Sequence, residues 1–248
     1  MENPWLALPK SAPFVLAGDL DAVSALNLWS KERAKTDDDF EAYRIRTGLL
    51  PDPFIGDPEA PVVFVMANPG YTDEARAARW GCGSDDSWHH KQFFRELYYE
   101  NYAQRPLEYP MFFLDPRVEE SPAGHWCRRR FLGRLRLIFD DRTLARSIAL
   151  VDFFPYHSAK YRFVPKFSVP SQAYSQELIA SAVARGATIV LMRAVARLLE
   201  FIPALQAFDY LVSVSPQNPA VSPGNIRTRD GKENGFERIV ERIRSSGR

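Results

Sequence analysis

The chain of 248 residues is 46% hydrophobic and 25% charged, both ordinary for a globular protein, so disorder and a fibrous architecture are excluded. Its 32 lysines and arginines against 31 acids leave a formal net charge of +1, so any polyanionic partner must be held by local clusters rather than by a global field. Two cysteines, Cys82 and Cys127, are too few for an iron–sulfur cluster or a four-cysteine zinc site.

No apolar run approaches the roughly 20 residues that a membrane-spanning helix requires. Met1–Lys10 lacks the basic flank, apolar run and cleavage site of a secretory signal, so a cytoplasmic location is expected, and a monomer. His89 and His90 are adjacent and point apart on a helix, so neither a metal nor a cofactor is expected.

In chain order, Asp19–Lys31 predicts a helix. A second helix runs over Phe40–Arg46, with Thr36 as N-cap, Asp37, Asp38 and Asp39 in the first turn and Gly48 beyond the stop. From Gly48 to Pro61 four prolines break both regular periods, which predicts a wrapped surface segment. Residues 1–60 are therefore expected to be a helical or irregular extension packed on a core domain of residues 61–248.

Pro61–Ala67 is a continuous apolar run that suits a strand buried on both faces, followed by the turn Asn68-Pro69-Gly70. A loop at Trp80–Ser87 leads to a predicted helix over Trp88–Tyr102, and Gly124–Phe139 predicts a basic amphipathic helix. Further strands are predicted at Arg146–Asp152, Thr188–Met192 and Asp209–Val214. Helices are predicted at Ser171–Arg185 and Ala194–Phe201, and Gly235–Arg244 closes the chain. Strands set this far apart are parallel with helical crossovers, which gives a three-layer α/β/α fold around a four-stranded parallel sheet. Ligands of such sheets bind outside the carboxyl ends of the strands, where Asn68, Asp152, Arg193 and Ser215–Asn225 emerge.

The segments VVFVMANPGY, ALVDFF and SVSPQNPAVSPGN, in that order, resemble the motifs of the uracil-DNA glycosylase superfamily, most closely its mismatch-specific branch. The resemblance covers residues 61–246 and implies the uracil-DNA glycosylase-like form of that fold. It also implies a hydrolase that cuts the N-glycosidic bond of a damaged or deaminated base in DNA, single-stranded or mismatched. Asn68 would hold the attacking water, and Asn218 would stand in the late loop, facing the departing base. Trp88 and Phe93 would stack on the extruded base, with Tyr71 and Phe153 also on the base side. Asp152 stands where uracil enzymes carry asparagine. A catalytically weak or inactive nucleic-acid binder, or a small nucleoside or nucleotide hydrolase, are the competing expectations.

Phosphates would fall to Arg128 in the run Arg128–Arg130, to Lys160 in the acid-free stretch with Arg162 and Lys166, and to the last loop and its sequel. There Ser222, Gly224, Asn225, Arg227 and Arg229 are the candidates. His157 reads as a loop hydrogen-bonder rather than an acid. An ionised aspartate only accepts hydrogen bonds, so at Asp152 it predicts that donor-bearing bases are preferred and that uracil is a poor substrate.

Overall fold

The computed structural model describes residues 1–162, 167–215 and 217–246. Lys166 and Pro216 lie outside them. Six strands form one sheet in the order β1-β3-β2-β4-β5-β6: β1 Phe54–Ile55, β2 Val62–Met66, β3 Ile148–Asp152, β4 Thr188–Leu191, β5 Leu211–Ser213 and β6 Ile226–Thr228. The fold is α/β, but the expected four-stranded parallel sheet is corrected to a mixed one. The four inner strands run parallel, with Val62 opposite both Ile148 and Thr188, whereas β1 and β6 add antiparallel edges.

The inner strands are continuous apolar runs because both of their faces are covered. All five residues of β3 are buried. Helix Gln172–Ala184 packs on β2, β3 and β4, and helix Gly235–Ser246 packs on β2, β4 and β6. The second buries Phe236, Ile239, Val240 and Ile243, a stripe at helical spacing.

Three sequence expectations need correction. The segment after Gly48 is no surface wrap: Leu49, Leu50, Phe54 and Ile55 are buried, and β1 pairs Phe54 with Val151. Its prolines fit because an edge strand needs donors on one side only. On that outer side the Asn101 amide completes β1, donating to Phe54 O at 2.8 Å and accepting from Gly56 N at 3.0 Å. Residues 1–60 thus contribute a strand to the sheet as well as packing on it.

The helix expected over Trp88–Tyr102 is two, Asp85–His89 and Gln92–Tyr102, each with its own start. The helix expected over Gly124–Phe139 breaks into an α-turn Pro122–Trp126, a π-turn Cys127–Phe131 and a 3-10 turn Leu135–Leu137. Of its arginines, Arg128 leaves the solvated surface. Arg128 is buried and donates to Phe113 O (2.6 Å) and Asp115 O (2.9 Å), with Nε 3.3 Å from Asp141 Oδ2. Phe113 O has no partner within the 3-10 turns Phe112–Leu114 and Pro116–Val118, while Asp115 O also accepts from Val118 N at 3.0 Å, and the π-turn brings Arg128 inward to both carbonyls.

The connection leaving β2 runs to β3 on one side of it, and the connection leaving β4 runs to β5 on the other. A sheet whose connections diverge in this way opens a crevice at the carboxyl ends of the two strands, here between β2 and β4.

Candidate functional site

The loops after β2, β3 and β4 enclose a cavity of about 660 Å³ at that crevice. Of the residues singled out in the sequence, Asn68, Tyr71, Asp152, Phe153 and Lys160 line it. Asp52, Arg76, Trp80, Asp85 and Trp126 line it as well and were not singled out. The strand exits are stitched together: Phe153 N donates to Met66 O and Phe154 N to Ala67 O, both at 3.0 Å. Asn68 Nδ2 donates to Pro69 O (2.7 Å) and to Ser158 Oγ (3.1 Å), which fixes the amide and leaves Oδ1 as an acceptor for a donor from outside.

Beneath the Asn68 turn, His157 is buried with Nδ1 2.7 Å from Gly70 O and Nε2 2.9 Å from Leu50 O. Carbonyls only accept, so both ring nitrogens must carry protons and the ring is an imidazolium. Burial alone would drive it neutral. The charge of Asp52, whose Oδ1 is 3.5 Å from Nε2, then that of Asp85 and the Gly70 carbonyl outweigh burial and raise His157 to about 9. The neighbouring His89 is the reverse case. Its Nδ1 accepts from Leu50 N at 3.0 Å, and burial, with His157 5.4 Å away between ring centroids, keeps it neutral.

Asp152 closes β3 with its side chain buried and Oδ1 without a hydrogen-bond partner. Burial, then Asp52, push its carboxyl well above the ordinary carboxylate range, against weaker pulls from His157 and Arg193. Burial thus works against the ionised aspartate expected from the sequence and toward the neutral acid, a form that carries one donor and an acceptor as an amide does. Asp85, accepting from Thr72 N at 2.7 Å, is raised to about 7, chiefly by burial, with His157 opposing.

The aromatic wall also differs from expectation. Trp88 is buried against Phe93 and Phe94, with Lys91 Nζ 3.4 Å from its ring centroid, and neither Trp88 nor Phe93 reaches the cavity. Trp126 lines the cavity instead. Phe131 stacks on its indole, with centroids 4.7 Å apart and planes 9° apart.

The last loop reaches the cavity through Pro219, not Asn218. Asn218 is exposed, and its Oδ1 accepts from Ala220 N at 3.0 Å to make its own turn. Asn225 is buried and used up inside the loop. Its Nδ2 donates to Asn218 O and Ala220 O, both at 2.9 Å, and its Oδ1 accepts from Ser215 N at 3.1 Å. Ser222 O caps Asn225 N at 3.0 Å, Arg227 lies in β6, and Arg229 donates to Gln206 O at 2.9 Å. Ser222, Gly224, Asn225, Arg227 and Arg229 all lie off the cavity wall, and Arg128 is consumed in the interior. No family model, no curated protein and no solved structure matches this chain.

Proposed function

We propose that the chain is a DNA glycosylase-like hydrolase of the uracil-DNA glycosylase kind, which takes an unstacked base into the cavity after β2, β3 and β4. The observation that carries this reading is the meeting of Asn68, a buried Asp152 whose carboxyl is pushed toward its neutral form, and the indole of Trp126 in one cavity. A base-releasing enzyme needs a pocket that stacks the base, a group that reads its edge and a fixed acceptor for water. In this reading Trp126 replaces Trp88 and Phe93 as the stacking residue.

Asn68 Oδ1 holds the water on the sugar side. As the C1′–N bond breaks, its electron pair leaves with the base, the water oxygen bonds to C1′, and the water's proton is lost to solvent. An amide takes no proton, so turnover depends on how well the departing base is stabilised. Asp152 serves that end by donating its O–H to a base carbonyl while accepting from the adjacent N–H, and Lys160 and Arg193 supply positive charge at the cavity wall.

A panel of labelled oligonucleotides, each with one modified base, scored for abasic sites, tests the reading. The wild type should release at least one base, and Asn68→Ala should slow that release about a hundredfold, the usual cost of losing a positioned reactant. Oligonucleotide binding with no release of any base would instead identify a non-catalytic binder.

Asp152 makes a separate prediction. As a neutral acid it presents the donor and acceptor set of an amide, so Asp152→Asn should leave uracil release within about threefold of wild type. Asp152→Leu, which leaves the base edge unpaired, should cost roughly ten- to a hundredfold. Uracil release that rises tenfold or more in Asp152→Asn would show that the carboxyl is ionised and repels the base.

A further inference from the structure

One acid-free basic segment lies beside the cavity, which it reaches through Pro122, Ala123 and Trp126. From Ser121 to Phe139 the sequence holds five arginines and no acid, in a chain whose charges otherwise nearly balance. The π-turn Cys127–Phe131 divides this set: Arg128 goes to the interior, while Arg129 and Arg130 point to solvent. Arg136 is paired with Asp141, but Arg79, Arg129, Arg130 and Arg134 enter no ion pair among the described residues.

Beside this segment, aromatic rings stand at the cavity mouth. Trp80, at the end of helix Glu74–Trp80, stacks with His125 at 6.2 Å and 18° between planes. The guanidinium carbon of Arg130 lies 5.2 Å, and that of Arg76 5.9 Å, from the Trp80 ring centroid. Both Trp80 and Trp126 line the cavity, so the ring beside Arg130 is also a wall of the pocket.

We infer that this basic segment is a track for single-stranded DNA, with phosphates on Arg129, Arg130 and Arg134 and bases against Trp80, one nucleotide away from the one that enters the cavity. The inference rests on the reading of the cavity as a base pocket and names the form of its partner. Unpaired guanidinium groups match a chain of phosphates, and indole faces match bases only when those bases are unpaired. A duplex would have to be unstacked before it could use Trp80 or Trp126, at a cost of a few kcal/mol. Single strands should therefore be preferred.

The test uses unmodified oligonucleotides, so it needs no catalysis. Fluorescence anisotropy of a labelled 20-nucleotide oligothymidylate should show binding at least tenfold tighter than to a duplex of equal length. With about three phosphates neutralised, raising monovalent salt from 50 to 200 mM should weaken binding roughly twentyfold, since single strands give a slope of about −0.7 per contact. The double variant Arg129→Glu/Arg130→Glu changes only exposed side chains. It should weaken binding more than tenfold and flatten the salt slope by about 1.4. Trp80→Ala should weaken it roughly five- to a hundredfold at an unchanged salt slope.

Equal or tighter duplex binding, or a double variant with unaltered affinity and slope, would overturn the inference. Tighter binding of oligouridylate than of oligothymidylate would overturn the assignment to DNA. Failure of the two readings is separable. Strand binding through Arg129 and Arg130 with no base released from any oligonucleotide leaves the track standing and removes the glycosylase. Base release with no strand binding through the segment does the opposite.

Discussion

Arg128→Ala is expected to destabilise the protein by about 3–5 kcal/mol, the usual result of breaking a buried charged network by removing one partner. Arg128 is 3% exposed and satisfies the carbonyls of Phe113 and Asp115 while approaching Asp141. The variant leaves the Phe113 carbonyl buried without its donor, leaves the Asp115 carbonyl with Val118 N alone, and opens a void against Gly124, where Arg128 Nη1 lies 3.1 Å from the position a Cβ would take. For a chain of this length the loss corresponds to a melting temperature lower by roughly 6–20 °C. Arg128→Lys should recover little, because one ammonium cannot serve the same fork of acceptors. Arg130→Ala, two residues away but exposed, should stay within about 0.5 kcal/mol of wild type. Thermal or urea melts of the three variants check this, and an Arg128→Ala protein as stable as Arg130→Ala would refute it.

The second large effect is a fall in stability between pH 6.5 and 9. His157 titrates at 6.5 when unfolded and at about 9 in the folded protein, so over this range the native state binds the more protons. Stability conferred by such a group is full below pH 6.5 and is lost as pH rises through 9. At 1.36 kcal/mol per pH unit of difference, the loss from this one side chain is about 3 kcal/mol. Asp85, also raised, to about 7, acts in the same direction, but most of its effect is complete by neutral pH. His89, kept neutral by burial, acts oppositely and only below 6.5, where the unfolded chain gains its proton. Asp152, whose carboxyl burial pushes well above the carboxylate range, adds to the decline with the same sign, so the share of His157 in the window from 7 to 9 is the difference between wild type and a variant that lacks only this ring. Urea denaturation at intervals across it should show the decline in wild type and a much flatter line in His157→Gln, which cannot titrate. A wild-type line as flat as the variant's would mean that the ring is not an imidazolium.

Much of the sheet was legible in the sequence because burial on both faces writes β2, β3 and β4 as unbroken apolar runs, and a helical crossover between them leaves parallel pairing as the remaining choice. The edges were not. β1 has two residues and β6 three, too short for any period to show, and β1 is bounded by prolines that ordinarily signal a loop. At the site, Asn68, Asp152 and Phe153 were legible because they stand at strand ends, and Lys160 because its stretch holds basic residues and no acid. Asp52 and Asp85 were hidden because they come from loops distant in sequence, and an acid in a proline-rich or glycine-rich stretch reads as a turn residue. Their signal was apolar company: Asp52 stands among Leu49, Leu50 and Phe54. Arg128 misled for a related reason. Three consecutive arginines look like a solvated face, and nothing local shows that 3-10 turns some 13 residues upstream need the middle of the chain's donors.

The Asn101 amide has a bearing on how these molecules meet one another. A sheet that ends in a bare strand offers a row of donors and acceptors to any second copy, and association edge to edge follows easily. Here the outermost strand's Phe54 carbonyl and Gly56 amide are already engaged by Asn101. One side chain does the work of a further strand and then ends, since it has no second edge to offer. The sheet is thereby closed to growth at this margin, and crowded chains gain nothing by lining up along it.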